Sequence, residues 1–290
     1  MLDWQTSPSR KPLLIRGARQ VGKSTAVRNL AKRFDYFIEI NFDEQPEYLN
    51  LFANTSDLHD LIEQLALITQ TEIIEGKTLL FLDEIQASLP AISKLRYFYE
   101  KRPNLHVIAA GSLLEFALAE LPSFGVGRVR SLFMYPLSFT EFLGAVNEKP
   151  LARLIQQSNA ANPINPIVHN KLKIYFAVLL IFDTGIYQRI LGLDVASLLL
   201  KDDFEVINKG SIAELFVGLE LLKSSDAYEK TALYYWHREA KNSKAEVDYV
   251  VQRQDRIVPV EVKAGTKGAM LHPIFNEWRY VVPPNFRTTG

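Results

Sequence analysis

The 290 residues include no cysteine. That excludes a disulfide framework, a Cys-based zinc site and a thiol nucleophile, and it accords with a reducing compartment. Net charge is also missing. The 33 Lys and Arg balance 33 Asp and Glu, so no global field favours nucleic acid or an anionic membrane. The longest apolar run, Ile174–Phe182, is far shorter than the roughly 20 residues that cross a bilayer. It reads as a buried strand or core helix. The opening MLDWQTSPSRKP has no apolar stretch of signal-peptide length, so the expectation is a cytoplasmic protein without a membrane partner. The five histidines are scattered, and none reads as a metal ligand.

What is present alternates between two periods. Apolar runs at Pro12–Ile15, Tyr36–Phe42, Thr78–Leu82 and Leu105–Ala110 read as strands. Between them, helices are expected at Lys23–Phe34, after a capping Asp57, at Pro90–Glu100 with proline in its first turn, and from about Ser112. Nearly all-apolar strands alternating with helices argue for an α/β fold with a parallel sheet covered on both faces. From Leu151 to Pro166 the amide- and proline-rich QQSNAANPINP lacks periodicity and reads as a linker. Beyond it come a helix at Ser211–Leu222 and strands near Ala232–Trp236, Glu246–Gln252 and Ile257–Val262, the last two joined by the turn Arg253–Arg256. That half is α+β. The expected division is residues 1–147, a linker at 148–173, and residues 174–290.

Residues 17–24 spell G-x-x-x-x-G-K-S between a strand and a helix. By chance this pattern arises in roughly one chain in a hundred of this length. Gly17 and Gly22 let the N–H groups of Ala18, Arg19, Gln20 and Val21 turn into one anion-sized nest. Lys23 is placed for the β- and γ-phosphates of ATP or GTP, Ser24 for Mg²⁺, and Thr25 continues the helix whose N-terminus faces the phosphates. No acidic residue occurs between Arg10 and Arg33, which suits a polyphosphate but also describes a solvated basic helix face.

The apolar run Thr78–Leu82 ends in Asp83 and Glu84. Ligands of open parallel sheets sit at the C-terminal strand ends, so Asp83 is placed to hold the magnesium and Glu84 to activate the attacking water. Ser112 follows the next strand and either bonds the γ-phosphate or the water, or caps a helix. Arg128 is either an arginine finger, acting in cis or from a neighbouring subunit, or a plain surface residue.

The strings GARQVGKST, LLFLDEIQ, AAGS and YPLSFTEF, with the GR at Gly127–Arg128, resemble the AAA-type ATPases of bacteria and archaea whose C-terminal half is a domain of unknown function. HNKL, IFDTGIYQRILGLD, GSIAELFVGLELL, YYWHR, AEVDYVV and VPVEVKAG extend the resemblance to about Gly268. It implies an AAA-like P-loop ATPase over residues 1–147 with ATP and Mg²⁺ as ligands. Ser112 would be a sensor, Arg128 a finger, and self-association is common in such proteins. It implies a smaller domain similar to the PD-(D/E)xK, or restriction-endonuclease-like, fold over residues 174–290. The sequence departs from that family in a shortened central region after HNKL and a short tail interrupted by Pro273.

Within the second half, Asp248, Glu261 and Lys263 have nuclease-like spacing, with Glu214 on the preceding helix as a third acid. On one strand Glu261 and Lys263 project to the same face. Such a group can bind magnesium for phosphodiester cleavage, although charges alternating with valines also describe an ordinary solvent-facing strand. No basic stripe accompanies it to track nucleic acid. The leading expectation is an ATPase whose nucleotide state controls domain or partner interactions. The alternatives are an ATP-gated, metal-dependent DNA nuclease and a non-hydrolysing interaction module, with the protein partner unspecified.

Overall fold

The computed structural model describes residues 1–112, 114–121, 127–158, 163–176, 179, 209–237, 246–253, 256–262 and 287–288. They form two compact units, Met1–Tyr135 with Asp226–Lys230, and Pro136–Ser225 with Thr231–Gly290.

In the first unit, α1 (Leu2–Thr6) precedes β1 (Leu13–Arg16), α2 (Lys23–Ala31) and β2 (Tyr36–Asn41). Then come α3 (Glu47–Asn54), α4 (Leu58–Thr69), β3 (Thr78–Asp83), α5 (Leu89–Lys101), β4 (His106–Gly111), α6 (Leu114–Ala119) and β5 (Arg130–Phe133). The sheet order is β2-β3-β4-β1-β5 and every pairing is parallel. This is the parallel-sheet core of a P-loop NTPase.

The apolar strands are continuous because alternate residues enter different cores. Leu14, Leu80, Leu82, Val107 and Ala109 pack with Phe52, Leu61, Leu65, Leu95 and Phe98 from α3, α4 and α5. Leu13, Ile15, Leu79, Phe81, Ile108 and Ala110 pack with Trp4 from α1 and Val27 and Leu30 from α2. Asp57 caps α4 through the His59 amide at 2.7 Å, as its position in the sequence implied.

Buried His106 is only 5% exposed, in edge-to-face contact with the rings of Trp4 and Phe34. Burial, with the charge of Arg10 adding, lowers its pKa from 6.5 to about 4. Between those values the unfolded chain binds a proton that the folded chain does not, so stability falls as pH drops from 6.5 towards 4. We expect His106→Gln to remove about 2 kcal/mol of that pH-dependent loss, read as a smaller fall in Tm between neutral and mildly acid buffer. An unchanged fall would show that His106 takes up its proton equally in the folded and unfolded states.

In the second unit, α7 (Phe139–Ala145) opens with a capping box formed by Ser138 and Glu141. Next are α8 (Lys149–Gln157) and α9 (residues 166–176). Leu143, Leu151 and Leu172 bury together, with Ile155 and Val168 against them. The segment read as a linker is therefore largely helical. Leu151 and Ile155 lie one helical turn apart and supply an apolar stripe that the amide-rich run masks. Ile174 is exposed at the end of α9, and most of the apolar run that follows lies outside the described residues. The unit continues with α10 (Lys209–Lys223), β6 (Tyr234–His237), β7 (Glu246–Arg253), β8 (Arg256–Val260) and β9 (Arg287–Thr288). Its separate antiparallel sheet has the order β8-β7-β6-β9. Among the described residues no helix is long and apolar enough to cross a membrane.

Candidate functional site

The six residues between β1 and α2, Gly17–Gly22, form a tight loop. Gln20 and Gly22 take positive φ of 65° and 94°. Gly17 is fixed by a close approach: a Cβ there would lie 2.2 Å from the carbonyl oxygen of Met134. The Met134 amide in turn donates to Arg16 O at 2.7 Å, so the exit of β5 braces the base of the loop. Lys23, 6% exposed, donates from Nζ to Gly17 O at 3.1 Å and Ala18 O at 2.9 Å. Burial lowers its pKa, offset in part by the carboxylates of Glu84 and Asp83.

β3 delivers Asp83, 3% exposed, to the same end of the sheet. Ser24 Oγ donates to Asp83 Oδ2 at 2.6 Å, and the Glu84 amide donates to Oδ1 at 3.1 Å. Burial raises the Asp83 pKa, while those two hydrogen bonds oppose the rise. Glu84 has φ 49°, a left-handed conformation that is uncommon away from glycine and recurs at functional sites. It turns the chain out of β3 into a short 3₁₀ turn, Ile85–Ala87. Residues 59 apart in sequence thus meet at the carboxyl edge of a parallel sheet.

Residues 9–143 match the AAA domain family. The matched stretch spans β1 to β5, and residues 209–275 match a domain of unknown function (DUF4143). No curated protein matches the chain in sequence. One solved structure, described as "Structure of C. elegans PCH-2", is similar at 16% identity, covering 57% of this chain and 49% of that one, with a TM-score of 0.31. The chain thus spans about half the length of that structure.

Within that stretch, Ser112 directly follows β4, the strand between β3 and β1, and is buried. Helix α6 runs from Leu114 to Ala119 just beyond it. Arg128 is elsewhere. It precedes β5, whose first residue pairs with Leu13 at the start of β1, and it forms an ion pair with Glu100 at the end of α5. Both place it at the amino edge of the sheet, opposite the phosphate loop. The run from Gly127 leads into the bottom of β5, on the side away from the phosphate loop. The sequence reading missed Met134 and Gln86, which reach the site through tertiary proximity. Gln86 does stand in the LLFLDEIQ run, two residues past the acid.

In the second unit, β7 and β8 form a hairpin with Tyr249 opposite Val260. This brings Asp248 and Glu261 to the same end, and Asp248 Oδ2 accepts the Val262 amide at 2.6 Å. The expected strand Ile257–Val262 stops at Val260, so Glu261 projects from the segment after it. Pairing of β7 with β6 is irregular between Tyr234 and Trp236, which shifts the register next to Asp248. Glu214 lies on α10, where its carbonyl oxygen accepts the Tyr249 hydroxyl at 2.8 Å. Among the described residues no group of three acidic or histidine side chains could hold a metal ion. The fourth residue of that constellation, Lys263, lies outside the described residues.

Proposed function

We propose that the AAA domain binds and hydrolyses ATP with magnesium, and that its nucleotide state controls an interaction made by the C-terminal domain. The observation that carries this reading is the 2.6 Å contact between Ser24 and Asp83, which joins the phosphate loop to the acidic strand end with Glu84 beside it. Ser24 and Asp83 supply the two oxygen ligands expected for Mg²⁺, which would draw charge from the phosphate oxygens. The amides of residues 18–22 and the Lys23 ammonium bind the polyphosphate. Glu84 takes the proton of the attacking water, and Ser112 orients that water or the γ-phosphate. Arg128 serves a neighbouring subunit. Its exposed position at the far edge supports that role over one within the same chain.

Steady-state turnover of Mg-ATP, measured on the whole chain and on Lys23→Ala, tests the reading. Lys23→Ala is expected to lower kcat/KM by roughly 10²-fold or more, since its charge is desolvated and aimed at the loop. Equal turnover by both proteins would assign the hydrolysis to a contaminant. ATP binding by the unmodified chain without turnover would instead favour a non-hydrolysing interaction module. Cleavage of DNA at Glu214, Asp248, Glu261 and Lys263 is the weaker reading of the nuclease-like C-terminal domain. The Asp248 carboxylate is engaged by a backbone amide, an arrangement that serves a hairpin as well as a metal.

A further inference from the structure

We propose that Gln86 is the positioning residue for Glu84, clamping the carboxylate of the general base against the end of β4. The proposal rests on the ATPase reading above and extends it to a residue without an assigned role. Gln86 lies in the 3₁₀ turn Ile85–Ala87, anchored by fully buried Ile85. Its Nε2 donates to Glu84 Oε2 at 2.6 Å, short for a nitrogen donor and typical of a charge-assisted bond. An ionised carboxylate only accepts, so the amide nitrogen faces Glu84 and the amide oxygen points away. That settles which way the carboxamide is turned.

The oxygen then meets β4. A Cβ at Gly111 would fall 2.2 Å from Gln86 Oε1, so the carboxamide occupies space that only glycine leaves open. Gly111 ends β4 and immediately precedes Ser112. Gln86 is therefore wedged between the acid that follows β3 and the strand end that carries Ser112. Its Oε1 is buried and has no hydrogen-bond partner among the described residues. An acceptor held so carries a desolvation penalty that an apolar side chain of similar size would not incur. A glutamine that only filled space would be a poor choice. The cost is explained if the amide is kept for its other end, the bond to Glu84. Gln86 binds Oε2 alone, which leaves Glu84 Oε1 to accept a proton from water. Glu84 is in a strained backbone conformation with a flexible side chain, and the clamp restricts that side chain to one direction.

A double-mutant cycle on ATP turnover separates positioning from packing. The proteins are the whole chain, Gln86→Leu, Glu84→Gln and the double variant, with Tm measured for each. Gln86→Leu is expected to lower kcat by about 10- to 100-fold with KM changed by less than about threefold. In the Glu84→Gln background the same substitution is expected to change kcat by less than about twofold, because the group it positions is already gone. Gln86→Glu, which keeps the shape but sets a second carboxylate against Glu84, serves if the leucine variant fails to fold, with a loss at least as large. Full kcat in a folded Gln86 variant, or equal losses in both backgrounds, would overturn the positioning role and leave the ATPase reading intact. An unmodified chain that binds ATP and does not turn it over would overturn both.

Discussion

Replacing Glu84 by glutamine is expected to lower kcat for ATP hydrolysis by roughly 10²- to 10⁴-fold, the range for loss of a general base. ATP affinity should change by less than about threefold, because the groups that meet the phosphates are Lys23, Ser24 and the loop amides. Glutamine preserves the size of the side chain, so the substitution removes the proton acceptor with little change in packing. Two measurements on one preparation decide it: nucleotide binding at equilibrium, and phosphate release at saturating Mg-ATP. Retained binding with lost turnover assigns the chemistry to Glu84. Parallel loss of both would mean that the acid supports the loop, through the charge it places near Lys23, rather than the water.

Gly17→Ala is the second large effect, and it acts on the fold as well as the ligand. The added carbon would stand 2.2 Å from Met134 O, in a backbone held in turn by the hydrogen bond from the Met134 N–H to Arg16 O. Neither side can rotate away. Relief requires the base of the loop or the exit of β5 to move, at a cost of about 2–4 kcal/mol. The movement displaces the amides that form the nest, so ATP affinity should fall with stability. Gly144→Ala is the matched control, since a Cβ there meets nothing within 4 Å and the residue lies in helix α7. It should be neutral or stabilising by about 0.5 kcal/mol. Urea unfolding of both variants, read with nucleotide binding, checks the prediction. Normal stability and affinity in Gly17→Ala would show that the loop does not depend on its contact with β5.

The parts of this architecture that the sequence discloses are those whose cause is local. β1, β3 and β4 announce themselves as apolar runs because both faces are covered, and α4 carries its own cap in Asp57. β5 does not. It is four residues long, RSLF, and only partly buried, so its alternation is too brief to register. Helix α3 is similarly quiet, with Tyr48 and Phe52 as its buried residues. The loop and the acidic pair were legible as strings, since each is contiguous. The alternatives for Arg128 stayed open because its position depends on which end of β5 it precedes, and β5 itself was unread. Met134 belongs to the site through a contact across strands, and Gln86 stands two residues past Glu84, but its contact with Gly111 crosses from β3 to β4, which no spacing rule reports.

The AAA sheet also borrows a piece of chain from far along the sequence. Asp226–Lys230 returns to the first unit, where Ala227 O accepts the Phe133 amide at 2.6 Å and the Tyr228 ring lies 3.6 Å beneath the Arg130 guanidinium. β5 is the outermost strand, so this returning segment occupies hydrogen-bonding positions that would otherwise be open to any other extended chain. A fragment ending at residue 147 keeps the whole phosphate loop and both acids yet leaves that border bare. Such a fragment is prone to stick to itself at β5. Inactivity in an excised N-terminal piece would then report an uncovered sheet margin rather than a missing catalytic group.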